Sequence, residues 1–295
     1  MPDAVLLFTG LVVFAQMFDI GLRYQPGSGA ALLRDRALAL RSLASALVLV
    51  PLGAFLLVAT LPVPSEVGMG LVILAAAPGA PLTTRRAEAA GADRDYVSAL
   101  QLMLAALAVV HMPLVIAAFE ALLDLSPLPV APVKIARQVA VVTFLPLVLG
   151  WLFARTAPGV LRRRAGLLSR ASKLLFVLFL VAVVLALGFL PDLRGQILIG
   201  WIGAGAVIAL AALSLAGGHA LGGPRLDRRA GLAIATVARN LGLALYVAES
   251  AETTIVAIPT ILAYALLAIL LAMPYSRWTK GRRPAARTRP DKASR

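Results

Sequence analysis

Apolar residues in this chain come in long runs, and the polar residues collect between the runs instead of alternating with them. A run of about 20 apolar residues is what a helix needs to cross hydrocarbon. Divided at Gly, Pro and charge, the pattern predicts nine spans, at roughly 4–22, 38–60, 67–86, 95–119, 134–154, 171–190, 195–216, 229–249 and 254–275. Asp3 stands where a cleavable signal would carry its positive region, so the first span is expected to stay in the protein.

The loops between the spans differ in sign. One set holds Arg23, Arg34, Arg36 and Arg41, then Arg85, Arg86 and Arg94, then Arg155, Arg162, Arg163, Arg164 and Arg170, then Arg225, Arg228 and Arg229, and last the tail KGRRPAARTRPDKASR. With Lys173 and Arg277 added, that side carries 24 of the 28 Lys and Arg against six of the 14 acids. The other set is acidic, with Asp3, Glu66, Glu120, Asp124, Asp192, Glu249 and Glu252 against Lys134, Arg137 and Arg194. Lys and Arg are retained on the cytoplasmic side, which orients the chain N-outside and C-inside in the cell membrane. Residues 1–276 then form one transmembrane domain, and 277–295 a basic cytoplasmic tail expected to be disordered.

Composition agrees. At 60% hydrophobic and 14% charged, the chain lies far from the 45–50% and about 25% of soluble domains. Cys is absent, which excludes a disulfide scaffold. The net charge of +14 is used up by the loop asymmetry, and no basic stretch is interleaved with aromatics, so no nucleic-acid partner is expected. The bilayer is.

Two spans are interrupted. AAAPGAPLTTRR puts Pro78, Gly79 and Pro81 near mid-depth, followed by Thr83 and Thr84. Proline removes a backbone donor and clashes with the preceding turn, so an unbroken helix is not expected there. Freed backbone groups in hydrocarbon must face protein or a wet cavity. RAGLAIATVARNLGLALYVAES places Arg239 and Asn240 mid-span. A central arginine costs about 2.5–3.5 kcal/mol on insertion scales, so it needs a cavity or a partner, with Asp19 the candidate counter-charge. Broken helices meeting at mid-membrane are the mark of transporters built from inverted repeats, here 4 + 5 spans if the first repeat lacks its leading helix.

The words MFDIGL at 17–22, VPLGAFLL at 50–57, GLVILAAAPGAPLTT at 70–84 and RNLGLAL at 239–245 resemble the bile acid–sodium symporter family, in order through spans one to eight. The resemblance implies an all-α membrane fold of two inverted helical repeats. Spans one, five and six would form a panel domain. Spans two to four with seven to nine would form a core with two crossing broken helices. In that family the first crossover reads about A-P-G-G-T-x-S-N, and its Ser and Asn help to bind sodium. Ala77, Pro78 and Gly79 match, whereas Thr83 and Thr84 hold the Ser and Asn places, and Val97 and Gln101 those of a Ser and Thr on the next helix. The second crossover carries Glu-x-x-x-Gln-Asn, and here those places are Ala235, Arg239 and Asn240, of which Asn240 alone is retained.

The expected function is therefore secondary transport of a small organic anion by alternating access, without sodium. Thr83, Thr84, Gln101, Arg239 and Asn240 are the expected substrate-binding residues. Coupling to protons would fall to His111, which changes charge near neutral pH, or to Asp19. Each also has a plainer reading: His111 bonded to a carbonyl freed by the adjacent Pro113, and Asp19 paired with Arg23. Glu88, Asp93 and Asp95 are expected to pair with the arginines of their loop, or to form a cytoplasmic gate. The alternatives are a sodium-coupled symporter with altered ligands, and a channel or non-transporting sensor of the same fold. An enzyme is disfavoured, as are metal and cofactor sites, for want of Cys, clustered His or acids, and a P-loop.

Overall fold

The computed structural model describes residues 2–23, 32–123, 131–189, 200–250 and 256–282, and structural statements below concern those residues. The basic tail from 283 onward and the first residues of the seventh predicted span lie outside them. Eleven helices are numbered in chain order: α1 (Pro2–Arg23), α2 (Arg36–Thr60), α3 (Ser65–Ala76), α4 (Thr83–Ala89), α5 (Arg94–Leu122), α6 (Pro132–Thr156), α7 (Pro158–Phe189), α8 (Gly200–Leu221), α9 (Leu226–Val237), α10 (Leu241–Ser250) and α11 (Ile258–Gly281). No strand occurs among the described residues. Seven helical stretches are long and apolar enough to cross a membrane, counting α9 with α10 as one. Leu7, Leu114, Leu178 and Leu266 are among the large apolar side chains left exposed, as a lipid-facing surface requires.

Both predicted interruptions are breaks. α3 stops at Ala76 and α4 starts at Thr83, with Pro78, Gly79 and Pro81 between them. Gly79 has φ +80°, and a Cβ there would lie 2.8 Å from the Ala105 backbone nitrogen of α5, so only glycine suits both the turn and the contact. The second break has neither Pro nor Gly. α9 ends with the Ala238 amide donating to the Ile234 carbonyl at 3.0 Å. Asn240 opens α10, its Oδ1 accepting from the Leu243 amide at 3.1 Å, as an N-cap does.

Two helices widen into π turns, α2 over Ala44–Leu49 and α6 over Ala140–Phe144. Each is followed within two residues by a proline, Pro51 and Pro146. A proline has no N–H to return to the carbonyl four residues back, and its ring crowds that carbonyl. Widening the turn relieves the clash and leaves backbone acceptors turned outward.

α1 lies along α6 and packs against α7 and α10, and α6 also packs on α5. α8 packs on α9 and α11, α3 on α2 and α5, and α4 on α9. The α1–α6 contact is a reciprocal backbone approach: a Cβ on Gly21 would overlap the Leu147 carbonyl oxygen, and one on Gly150 the Phe18 carbonyl oxygen. Gly150→Ala should therefore push the two helices apart and cost about 1–3 kcal/mol, read as a lower thermal midpoint in detergent. A Gly150→Ala protein as stable as the parent would mean that the approach is looser than described.

Candidate functional site

The carbonyl end of α3 and the turned-out carbonyls of α2 meet at the crossover. A helix end leaves its last carbonyls without intrahelical donors, and those of α3 are filled from elsewhere. Arg239 Nε donates to the Leu74 carbonyl at 3.0 Å, and Arg239 Nη2 to that of Ala75. His111 Nδ1 lies 3.2 Å from the Ala76 carbonyl, and the Asn240 amide donates to that of Ala77 at 2.9 Å. The remaining atoms of the same side chains reach α2: Arg239 Nη1 donates to the Ala46 carbonyl at 3.1 Å, and His111 Nε2 lies 3.0 Å from that of Leu47. Pro51 explains these two acceptors, since it has no N–H for Leu47 in an α ladder or for Ala46 in a π ladder. One guanidinium and one imidazole thus bind five carbonyls from two helices.

Two expectations are corrected here. Asp19 is not the counter-charge of Arg239: its carboxylate accepts from Arg23 Nε at 3.0 Å and from the Ser169 hydroxyl at 3.1 Å. An arginine one turn away on the same helix needs little ordering to reach it, and Arg239 is 3% exposed with its donors on carbonyls. The proline that frees an acceptor for His111 is Pro51 on α2 and not Pro113, which α5 accommodates without a break.

A cavity of about 480 Å³ opens beside the crossover at the end that bears the basic loops. Of the expected site residues it brings together Thr84, Gln101, Pro81 and Asp19. The Thr84 hydroxyl donates to Gln101 Oε1 at 2.5 Å, and Gln101 Nε2 donates to the Pro81 carbonyl at 2.8 Å, which ties α5 to the break. Arg239 and Asn240 are buried in the crossover and do not line the cavity, nor do Thr83, whose hydroxyl donates to the Ala80 carbonyl at 2.7 Å, and His111.

The cavity adds residues that the sequence did not single out for binding: Arg85, Ser98 and Lys173. Its other two cations are neutralised, Arg23 by Asp19 at 3.0 Å and Arg94 by Glu88 at 2.9 Å. Asp93 is spent as the N-cap of α5, accepting from the Asp95 and Tyr96 amides at 3.1 and 3.2 Å. Arg85 of α4 and Lys173 of α7 have no partner among the described residues, and they stand on different helices. No group of three His, Cys, Asp or Glu that could hold a metal converges among the described residues.

A search of curated proteins finds no match. The family model of the sodium bile acid symporter family matches residues 10–190, more than half of the chain and a stretch that includes the first crossover. The broken helices, the lipid-facing surface and this match give one answer: the chain belongs to the sodium bile acid symporter family and is a multi-pass membrane transporter of the bile-acid and organic-anion type.

Proposed function

We propose that the chain carries a small organic anion by alternating access without using sodium. The observation that supports this most directly is the filled crossover. Sodium sites need several oxygen ligands and usually a carboxylate; here the carbonyls face a guanidinium and an imidazole, and Ala235 stands where the family has its glutamate. A second cation 4 Å from the guanidinium would be repelled by about 4 kcal/mol at an effective dielectric of 20.

In this reading α1, α6 and α7 are the panel, the other helices are the core, and the nine crossings count α3–α4 and α7 as spans. The substrate anion sits in the cavity against Thr84 and Gln101, with Arg85 and Lys173 as its charge partners. Arg239, Asn240 and Thr83 act one layer behind, holding the two breaks in register.

His111 and Asp19 are the proposed proton-coupling groups. A neutral imidazole donates from one nitrogen only, whereas the two carbonyls at His111 call for two donors.

Melting temperature in sodium chloride and in choline chloride at equal ionic strength tests the sodium part without a known substrate. A cation bound to the folded state at 100 times its dissociation constant adds about 2.7 kcal/mol, so an indifferent midpoint is the expected result and a saturable rise with sodium defeats the proposal. Carboxylates and sulfonates screened in the same assay, followed by uptake into proteoliposomes, test the anion part. Proton-driven uptake should be lost in His111→Ala or Asp19→Asn.

A further inference from the structure

A buried polar atom without a partner costs free energy comparable to a lost hydrogen bond, so folded chains seldom collect such atoms in one place. Among the described residues eight buried side-chain atoms lack a partner, and six of them lie on α1, α6 and the α10 segment. They are Thr9 Oγ1 and both amide atoms of Gln16 on α1, Thr143 Oγ1 in the π turn of α6, and Asn240 Nδ2 and Glu249 Oε2 near the two ends of α10. Thr9 and Thr143 are 0% exposed and Gln16 5%.

These elements share a seam. The Tyr246 ring of α10 comes within 3.1 Å of where a Cβ on Gly10 would sit, with Val142 of the π turn at 3.8 Å. Val13 lies 3.0 Å from the corresponding point on Gly242. The Ser250 hydroxyl donates to Gln138 of α6 at 3.4 Å, and the Thr9 hydroxyl faces the Glu249 carboxyl. The cavity, by contrast, meets α1 near its other end, at Asp19 and Arg23.

A row of buried polar atoms that runs to a half-buried Glu249 is accounted for if a second arrangement wets it. In the panel and core reading proposed above, α1 and α6 lie in the panel and α10 in the core, so rocking that closes the cavity at the basic end opens this seam at the acidic end. We propose that the seam lines the outward-open pathway and that Glu249 is its proton-operated latch. Protonated, the Glu249 carboxyl carries its own donor and can stay in the closed seam. Ionised, it pairs with no cation among the described residues: the titratable group beside it is Tyr246 on the same helix, α1 presents Thr9, and α6 presents Gln138 to the neighbouring Ser250, with Arg137 next in sequence exposed and unpaired with Glu249. The carboxylate then has the Thr9 hydroxyl as a donor and needs water for its remaining acceptor sites, which favours the open seam. The proton comes from, and returns to, the outer solution.

The proposal rests on the alternating-access reading, but its test needs no substrate, so its failure leaves the uptake experiments standing. Because the chain has no cysteine, Thr9→Cys, a change to a side chain of similar volume in the full-length protein, introduces a single reporter thiol. Its labelling by a membrane-impermeant maleimide applied to the outside of proteoliposomes is divided by that of the exposed Ser65→Cys, which removes the intrinsic pH dependence of thiols. The normalised rate should rise about tenfold as the outer solution is taken from mildly acidic to mildly alkaline, through the linkage of opening to ionisation. Adding Glu249→Gln should hold it at the low, acid value throughout. Thr143→Cys gives a second reporter on the opposite wall. Labelling that is independent of pH, that is undetectable at both reporters, or that keeps its pH dependence in Glu249→Gln overturns the proposal.

Discussion

Arg239→Gln should lower the thermal midpoint of the detergent-solubilised protein by an amount that corresponds to several kcal/mol. The guanidinium donates to the Leu74, Ala75 and Ala46 carbonyls, and a glutamine is too short and has too few donors to replace it. A buried acceptor that loses its donor costs about 1–3 kcal/mol. Leu74 retains the Ala77 amide at 3.1 Å, but no other donor reaches Ala75 across the break. Removing a desolvated cation returns part of the loss, which leaves about 3 kcal/mol, a large share of the 5–15 kcal/mol that holds a typical domain. Arg239→Lys should fall between the two, since its three N–H groups radiate from one nitrogen and cannot span both helices. The emptied carbonyl cage should also admit a cation: sodium should raise the midpoint of Arg239→Gln but leave the parent unmoved. A variant that melts like the parent would show that the crossover is held by something else.

Uptake of an anionic substrate should nearly vanish on reversal of either unpaired cavity cation, Arg85→Glu or Lys173→Glu. Removing one unit charge 4 Å from a bound anion loses about 1 kcal/mol in bulk water and about 4 kcal/mol at an effective dielectric of 20. Neutral Lys173→Ala should thus raise KM about tenfold, the equivalent of 1.4 kcal/mol, and reversal should cost more. Arg23→Ala should weaken uptake as well, because it leaves the Asp19 carboxylate unneutralised on the cavity wall. Equal transport by Lys173→Glu and the parent would move the substrate site away from this cavity.

The architecture was legible where the sequence breaks its own pattern. Pro78, Gly79 and Pro81 cannot continue a helix, and a mid-span Arg239 has to be answered by something polar, so both breaks could be located in advance. What answers Arg239 was not legible. Its acceptors are main-chain atoms with no residue signature, set free by a π turn before Pro51 in a helix 193 residues away along the chain. Charge complementarity pointed to Asp19, but a carboxylate takes the nearest cation, and Arg23 is one turn off. Arg85, Glu88 and Arg94 read as a solvated loop because nothing in their spacing shows that α4 is a seven-residue stub that brings Arg85 and Glu88 to the cavity wall beside Arg94, the first residue of α5. Thr9, Gln16 and Thr143 are single polar residues in apolar runs; only packing reveals that they share a seam.

The crossover also orders events during synthesis. Arg239 follows its acceptor Leu74 by 165 residues, a delay of roughly 8–33 s at about 5–20 residues per second on the ribosome. His111 arrives early and can cover the Leu47 and Ala76 carbonyls, but the Ala75 and Ala77 carbonyls wait for the 239–240 pair. Until that pair is made, the first half sits in a bilayer that offers those acceptors no proton. The nascent N-terminal half is therefore an unfinished object, and its maturation is completed in cis by the break between α9 and α10 when that segment emerges.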